Sequence, residues 1–198
     1  MYYLATLNLL LGLAGIGLII ATVVLLVDYF VFNGKYLADR ITPFLWPVIM
    51  LMTLGSIALS LLYSEYFGFI PCSLCWLQRI AIYPQGLLSV MAWKFKDNLF
   101  FPMYGIALSG FGLLVAVYQY IYQMVPKEVL EGGALPCLTD GSGADCAEKV
   151  IDVFGFMTFP LLSAITFAFL IMLYLYMLRE YKRDRTATMQ TAYNEAKV

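Results

Sequence analysis

Cys72 and Cys75 stand three residues apart in the segment GFIPCSLCWLQRIAIYP, residues 68–84, and Arg79 follows four residues after the second cysteine. Two thiols so spaced can close into a disulfide or act as a dithiol that passes two electrons. Pro71 suits the start of a helix, where its missing N–H costs nothing. Cys72 and Cys75 then fall in the first helical turn, an end that favours negative charge and therefore a thiolate. Arg79 and Cys75 project from the same helical face. A fixed cation there would stabilise a thiolate on Cys75, or an anion developing on a bound acceptor. The blander readings are an arginine that snorkels to the headgroups, a purely structural disulfide, or half a zinc site.

A second pair, Cys137 and Cys146, lies in LEGGALPCLTDGSGADCAEKVIDVFGF, the longest polar stretch of the chain. Its spacing is too wide for the usual C-x₂₋₄-C knuckle, which argues against zinc. DGSGAD lacks the glycine and distal glutamate of an EF-hand loop and reads as a flexible acidic turn. No metal site is expected. Gly132, Gly133, Gly141 and Gly143 predict a mobile loop, so a disulfide here would be open to attack by an external dithiol. Four cysteines allow three pairings. Proximity favours Cys72–Cys75 and Cys137–Cys146 as resting pairs, with exchange between them as the third possibility.

These residues must be held by elements suited to lipid. The chain has 198 residues, of which 62% are hydrophobic and 13% charged, with a mean hydropathy of +0.81. Soluble domains carry roughly 25% charged residues, so an integral membrane protein is expected. Five apolar runs are long enough to cross the bilayer as helices: about Leu4–Val27, Phe44–Tyr63, Leu74–Trp93, Phe101–Met124 and Phe154–Leu178. Gly17 with Ala21, and Gly112 with Ala116, are small residues four apart that allow close helix approach. Lys35 and Arg40, Lys94 and Lys96, and the REYKRDR segment fall on one side of five spans, which predicts that side to be cytoplasmic. All four cysteines and the N-terminus then lie outside, in a compartment that permits disulfides. The N-terminal run lacks the positive region of a signal peptide and is too long for one, so it reads as a retained helix. The net charge of −1 argues against a nucleic-acid partner. Histidine is absent, which removes His-ligated haem and every His-based catalytic dyad or triad.

The stretch PCSLCWLQR, followed later by DCAEKVIDVFGFMTFP, resembles the DsbB family, membrane proteins that reoxidise a periplasmic thioredoxin-like oxidase with quinone. The resemblance covers about residues 44–178. It implies an all-α integral membrane fold, a four-helix bundle with the polar loop 125–152, to which this chain adds one N-terminal helix within residues 1–33 and a basic cytoplasmic tail at 179–198. It implies that Cys137 is attacked by a DsbA-like thioredoxin-fold partner and that Cys146, released, reduces the Cys72–Cys75 disulfide through Cys72. Cys75 then donates to ubiquinone or menaquinone, held with its developing charge by Arg79 in the bacterial inner membrane.

The chain departs from that pattern in its extra first helix, in a short loop between Cys137 and Cys146, and in Gln78, which stands where an acidic residue can precede the arginine. The vitamin K epoxide reductases also use two cysteine pairs and a quinone, but their pairs run in the reverse order. A transporter subunit or assembly factor with structural disulfides is the non-enzymatic alternative. Its intramembrane charges would be expected near mid-membrane, whereas Asp28, Glu65 and Arg79 lie near predicted helix ends.

Overall fold

Long apolar runs in lipid must satisfy their backbone internally, which leaves helices as the available form here. The computed structural model describes residues 2–124, 146 and 151–197. It is an all-α bundle: α1 (Tyr2–Phe30), a short α2 (Ala38–Ile41), α3 (Leu45–Leu61) running on into a wide turn at Leu62–Tyr66, α4 (Ser73–Phe95), α5 (Phe100–Met124) and α6 (Phe159–Ala196). Among the described residues, four stretches are long and apolar enough to cross a membrane: Leu4–Phe30, Ala38–Tyr66, Phe100–Met124 and Phe159–Ala196. α4 has the length, 23 residues or about 34 Å at 1.5 Å per residue. It is less apolar because it carries Gln78, Arg79, Gln85 and Ser89, all buried. These side chains face the bundle interior, as polar groups in such helices must.

Two boundaries differ from those expected. The last span does not begin at Phe154. Phe154 and Gly155 both have positive φ, 61° and 75°, and turn a small antiparallel hairpin in which Asp152 pairs with Thr158 and Val153 with Met157. The helix starts only at Phe159, with Pro160 in its first turn. Nor does it stop at Leu178. No glycine or proline follows Pro160, and an Arg183–Glu180 ion pair of 2.6 Å supports the exposed continuation.

The topology runs up and down. Near the start of α1, the Asn8 side chain accepts a hydrogen bond from Tyr63, just past α3. Near its end the buried Asp28 accepts one from Tyr176 of α6 at 2.8 Å and others from the Tyr36 and Leu37 amides. One end of the bundle thus gathers the start of α1, the end of α3 and the start of α4. The other gathers the first loop and the far part of α6, where Arg183 meets Asp39 at 2.6 Å.

α5 and α6 approach most closely. A Cβ at Gly105 would lie 2.6 Å from the Tyr174 ring, and one at Gly112 only 2.3 Å from the Phe167 ring. Ala116 is fully buried, so the Gly112 and Ala116 pair does mark a helix contact, whereas Gly17 has no neighbour within 4 Å. Gly112→Leu is expected to overpack this seam at a cost of about 1–3 kcal/mol, read as a lower thermal midpoint in detergent. An unchanged midpoint would show that the seam yields freely.

Candidate functional site

Cys72 occupies the N-cap of α4 with extended backbone, φ −72° and ψ 172°. Its carbonyl accepts from the Trp76 amide at 3.0 Å, so the helix begins directly on the C-x-x-C. Cys75 follows within the first turn. Both are free thiols, with sulfurs 3.2 Å apart. Cys72 is buried and Cys75 half-buried.

Gln119, on α5, reaches across to this pair. Its Nε2 donates toward Cys72 Sγ at 3.5 Å and Cys75 Sγ at 3.4 Å, within range for sulfur acceptors. Its Oε1 accepts from Gln78 Nε2 at 2.8 Å and lies 3.9 Å from Cys75 Sγ, so the amide nitrogen is the end closer to the sulfurs. Gln78 therefore serves the cysteines through Gln119, rather than standing beside Arg79 as a replaced carboxylate. Gln119→Leu removes the donor and leaves buried Gln78 without its acceptor. Hydrogen bonds to charged groups are worth about 1.5–3 kcal/mol, so alkylation of reduced Cys75 is expected to slow roughly tenfold or more. An unchanged alkylation rate would make Gln119 a packing residue.

Arg79 is 8% exposed and turned inward. Its Nε donates to Ser60 Oγ at 2.8 Å and its Nη2 to the Ser60 carbonyl at 3.0 Å, while Trp76 stacks 5.0 Å from the guanidinium carbon. These contacts orient the cation and leave Nη1 without a partner among the described residues, within which no carboxylate pairs with Arg79. A snorkelling arginine would point its charge to water; this one is tied to α3.

Cys75, Gln78 and Arg79 line a cavity of about 470 Å³ whose remaining wall is largely apolar, including Leu59, Ile82, Phe159 and Phe167. A flat apolar molecule carrying hydrogen-bond acceptors suits such a site: the walls cover its faces and Arg79 offers N–H donors. Cys146 is disulfide-bonded and buried in one cluster with Cys72 and Leu74, its sulfur 3.9 Å from Ser73 Oγ. The structure thus brings Cys72, Cys75, Arg79 and Cys146 to one end of the bundle. Cys137, and with it most of the loop 125–152, lies outside the described residues. Gln119 and Ser60 went unread in the sequence, since nothing local marks a glutamine in α5 or a serine in α3 as a partner of α4.

A family model described as "Disulfide bond formation protein DsbB" matches residues 42–177. A "Probable disulfide formation protein" of Oceanobacillus iheyensis is 34% identical over 146 residues, covering 74% of this chain and 94% of that protein. The "Disulfide bond formation protein C" of Bacillus subtilis is 36% identical over 126 residues, 64% of this chain and 83% of that one. A "Probable disulfide formation protein" of Coxiella burnetii is 35% identical over 143 residues, 72% and 88% of the two chains. No solved structure matches the chain at significance. The C-x-x-C at a helix start, its arginine and the extent of the match agree, and the chain belongs to the DsbB family of disulfide bond formation proteins.

Proposed function

We propose that this protein is a membrane thiol oxidoreductase that reoxidises a DsbA-like thioredoxin-fold protein outside the cytoplasmic membrane and passes the electrons to quinone. One observation carries the reading. Cys75 and Arg79 open on the same cavity, while Cys72, on the other side of the C-x-x-C, packs with Cys146. Cys75 packs against that cluster too but also lines the cavity, and in this reading it serves the lipid-soluble acceptor while Cys72 serves the second pair.

In this scheme a thiolate of the partner attacks Cys137, forming a mixed disulfide and releasing Cys146 as a thiolate. The partner's second thiol displaces Cys137, and the partner leaves oxidised. Cys146 then attacks Cys72, and Cys75 departs as a thiolate beside the Gln119 amide. Cys137 closes on Cys146, which restores the loop disulfide and leaves Cys72 and Cys75 reduced. Bound quinone supplies the two-electron, two-proton acceptor, so one partner dithiol becomes a disulfide for each quinol released. Arg79 binds and orients that acceptor through Nη1, held in place by Ser60, and the apolar wall keeps water from the exchange. All five long helices cross the bilayer, with the lysine- and arginine-bearing end in the cytoplasm and the cysteines outside.

The test is quinone absorbance with purified protein, a reduced DsbA-like partner, and short-chain ubiquinone and menaquinone. Wild type should consume quinone and Cys137→Ser should not. If wild type consumes neither quinone above background, the cysteines are structural and the enzyme reading fails.

A further inference from the structure

The family match begins at residue 42, so α1 stands outside it, and the sequence offers that helix no task. The structure nevertheless makes it a wall of the cavity. Leu11, Ala14, Gly15 and Leu18 line it, at the i, i+3, i+4, i+7 spacing that puts them on one helical face. This wall is wholly apolar and stands with the polar group of Cys75, Gln78 and Arg79 around the same space.

α1 is also fixed there rather than loosely tethered. Asn8 and Asp28 hold its two ends through Tyr63 and Tyr176. Between them, a Cβ at Gly12 would come within 2.9 Å of Val153 Cγ1, and one at Gly15 within 3.0 Å of Leu162 Cδ1. The helix therefore seats directly on the hairpin and on α6. Tyr63, to which Asn8 binds, lines the cavity as well. The four residues that α1 turns to the cavity are apolar and carry no group that can take part in thiol exchange, so their effect is expected on the acceptor.

We propose that α1 is the specificity wall of the acceptor cavity, packing against the apolar face and prenyl side of the quinone while the α4 side engages its carbonyl oxygens. This rests on the quinone reading given above. In the full-length protein, Ala14→Phe should fill part of the cavity. The Kd for short-chain ubiquinone, read by quenching of tryptophan fluorescence, should rise about tenfold, and KM for quinone should follow. KM for the reduced partner should stay within about twofold. Leu10→Phe, on a residue that is 58% exposed and does not line the cavity, should change neither constant. Leu11→Ala, a gentler change at the same wall, should also shift the quinone Kd without altering the thermal midpoint. Unchanged quinone Kd values in both Ala14→Phe and Leu11→Ala would overturn the proposal and leave α1 a scaffold. Wild type that neither binds nor consumes quinone would instead strike the reading on which it rests.

Discussion

Cys75→Ser is expected to abolish steady-state quinone reduction while leaving one turn of thiol exchange intact. Serine keeps the size and a hydrogen-bonding group beside Gln119 but can neither form a disulfide nor release electrons. In the proposed relay the loop disulfide meets the partner first, without help from Cys75. Mixing this variant with excess reduced partner should therefore oxidise up to about one equivalent and stop, the exchange equilibrium setting the final extent. Sustained turnover should fall roughly 10³-fold or more, as expected when an essential reacting atom is removed. Two measurements separate the steps: quinone absorbance over minutes, and the amount of oxidised partner after acid quenching. If Cys75→Ser sustained turnover, the electrons would have to leave through another group, and the division of labour between Cys72 and Cys75 would collapse. If it oxidised no partner at all, the loop pair would depend on the C-x-x-C for its own reactivity.

The sequence made the placement of the α4 residues legible because that placement is local. Pro71, Cys72, Cys75 and Arg79 span nine residues, and helix geometry alone puts them on adjoining positions of one turn and the next. The apolar runs located the helices for the same reason, since lipid forces each segment to satisfy itself. What escaped is what tertiary packing decides. Gln119 lies 44 residues from Cys75, and its amide is aimed by Gln78 only once α4 and α5 are side by side. Ser60 is an ordinary helix serine until Arg79 finds it. Asp28 read as a charge near a helix end, yet it is buried where it receives Tyr176 and two loop amides. The hairpin at residues 152–158 was hidden because hydrophobicity does not distinguish Phe154 and Phe156 in a turn from the same residues in a span. The wall formed by α1 was hidden most fully. Small and large apolar residues on a lipid-facing helix look alike until a neighbouring cavity gives them an inner and an outer side.

Arg79→Met is expected to act on the acceptor and to spare the thiols. The guanidinium is buried and spends two of its hydrogen bonds on Ser60, an arrangement that holds a cation still at the edge of an apolar space. Charge-assisted hydrogen bonds are worth about 1.5–3 kcal/mol, so KM for quinone should rise roughly 10- to 100-fold. Saturating quinone should recover much of the rate if Arg79 chiefly binds, and little if it chiefly stabilises the charge that develops during transfer. Without quinone, the variant should still accept electrons from up to about two equivalents of partner, one for each cysteine pair. Arg79→Lys sharpens the result. Lysine preserves the charge but lacks the planar fork that grips Ser60 while leaving Nη1 for a ligand, so its KM should fall between those of wild type and Arg79→Met. A purely structural arginine would give the opposite pattern: lower thermal midpoints for both variants and an unchanged KM for quinone. The two patterns do not overlap, because a group that only ties α4 to α3 has no reason to discriminate between quinone and partner.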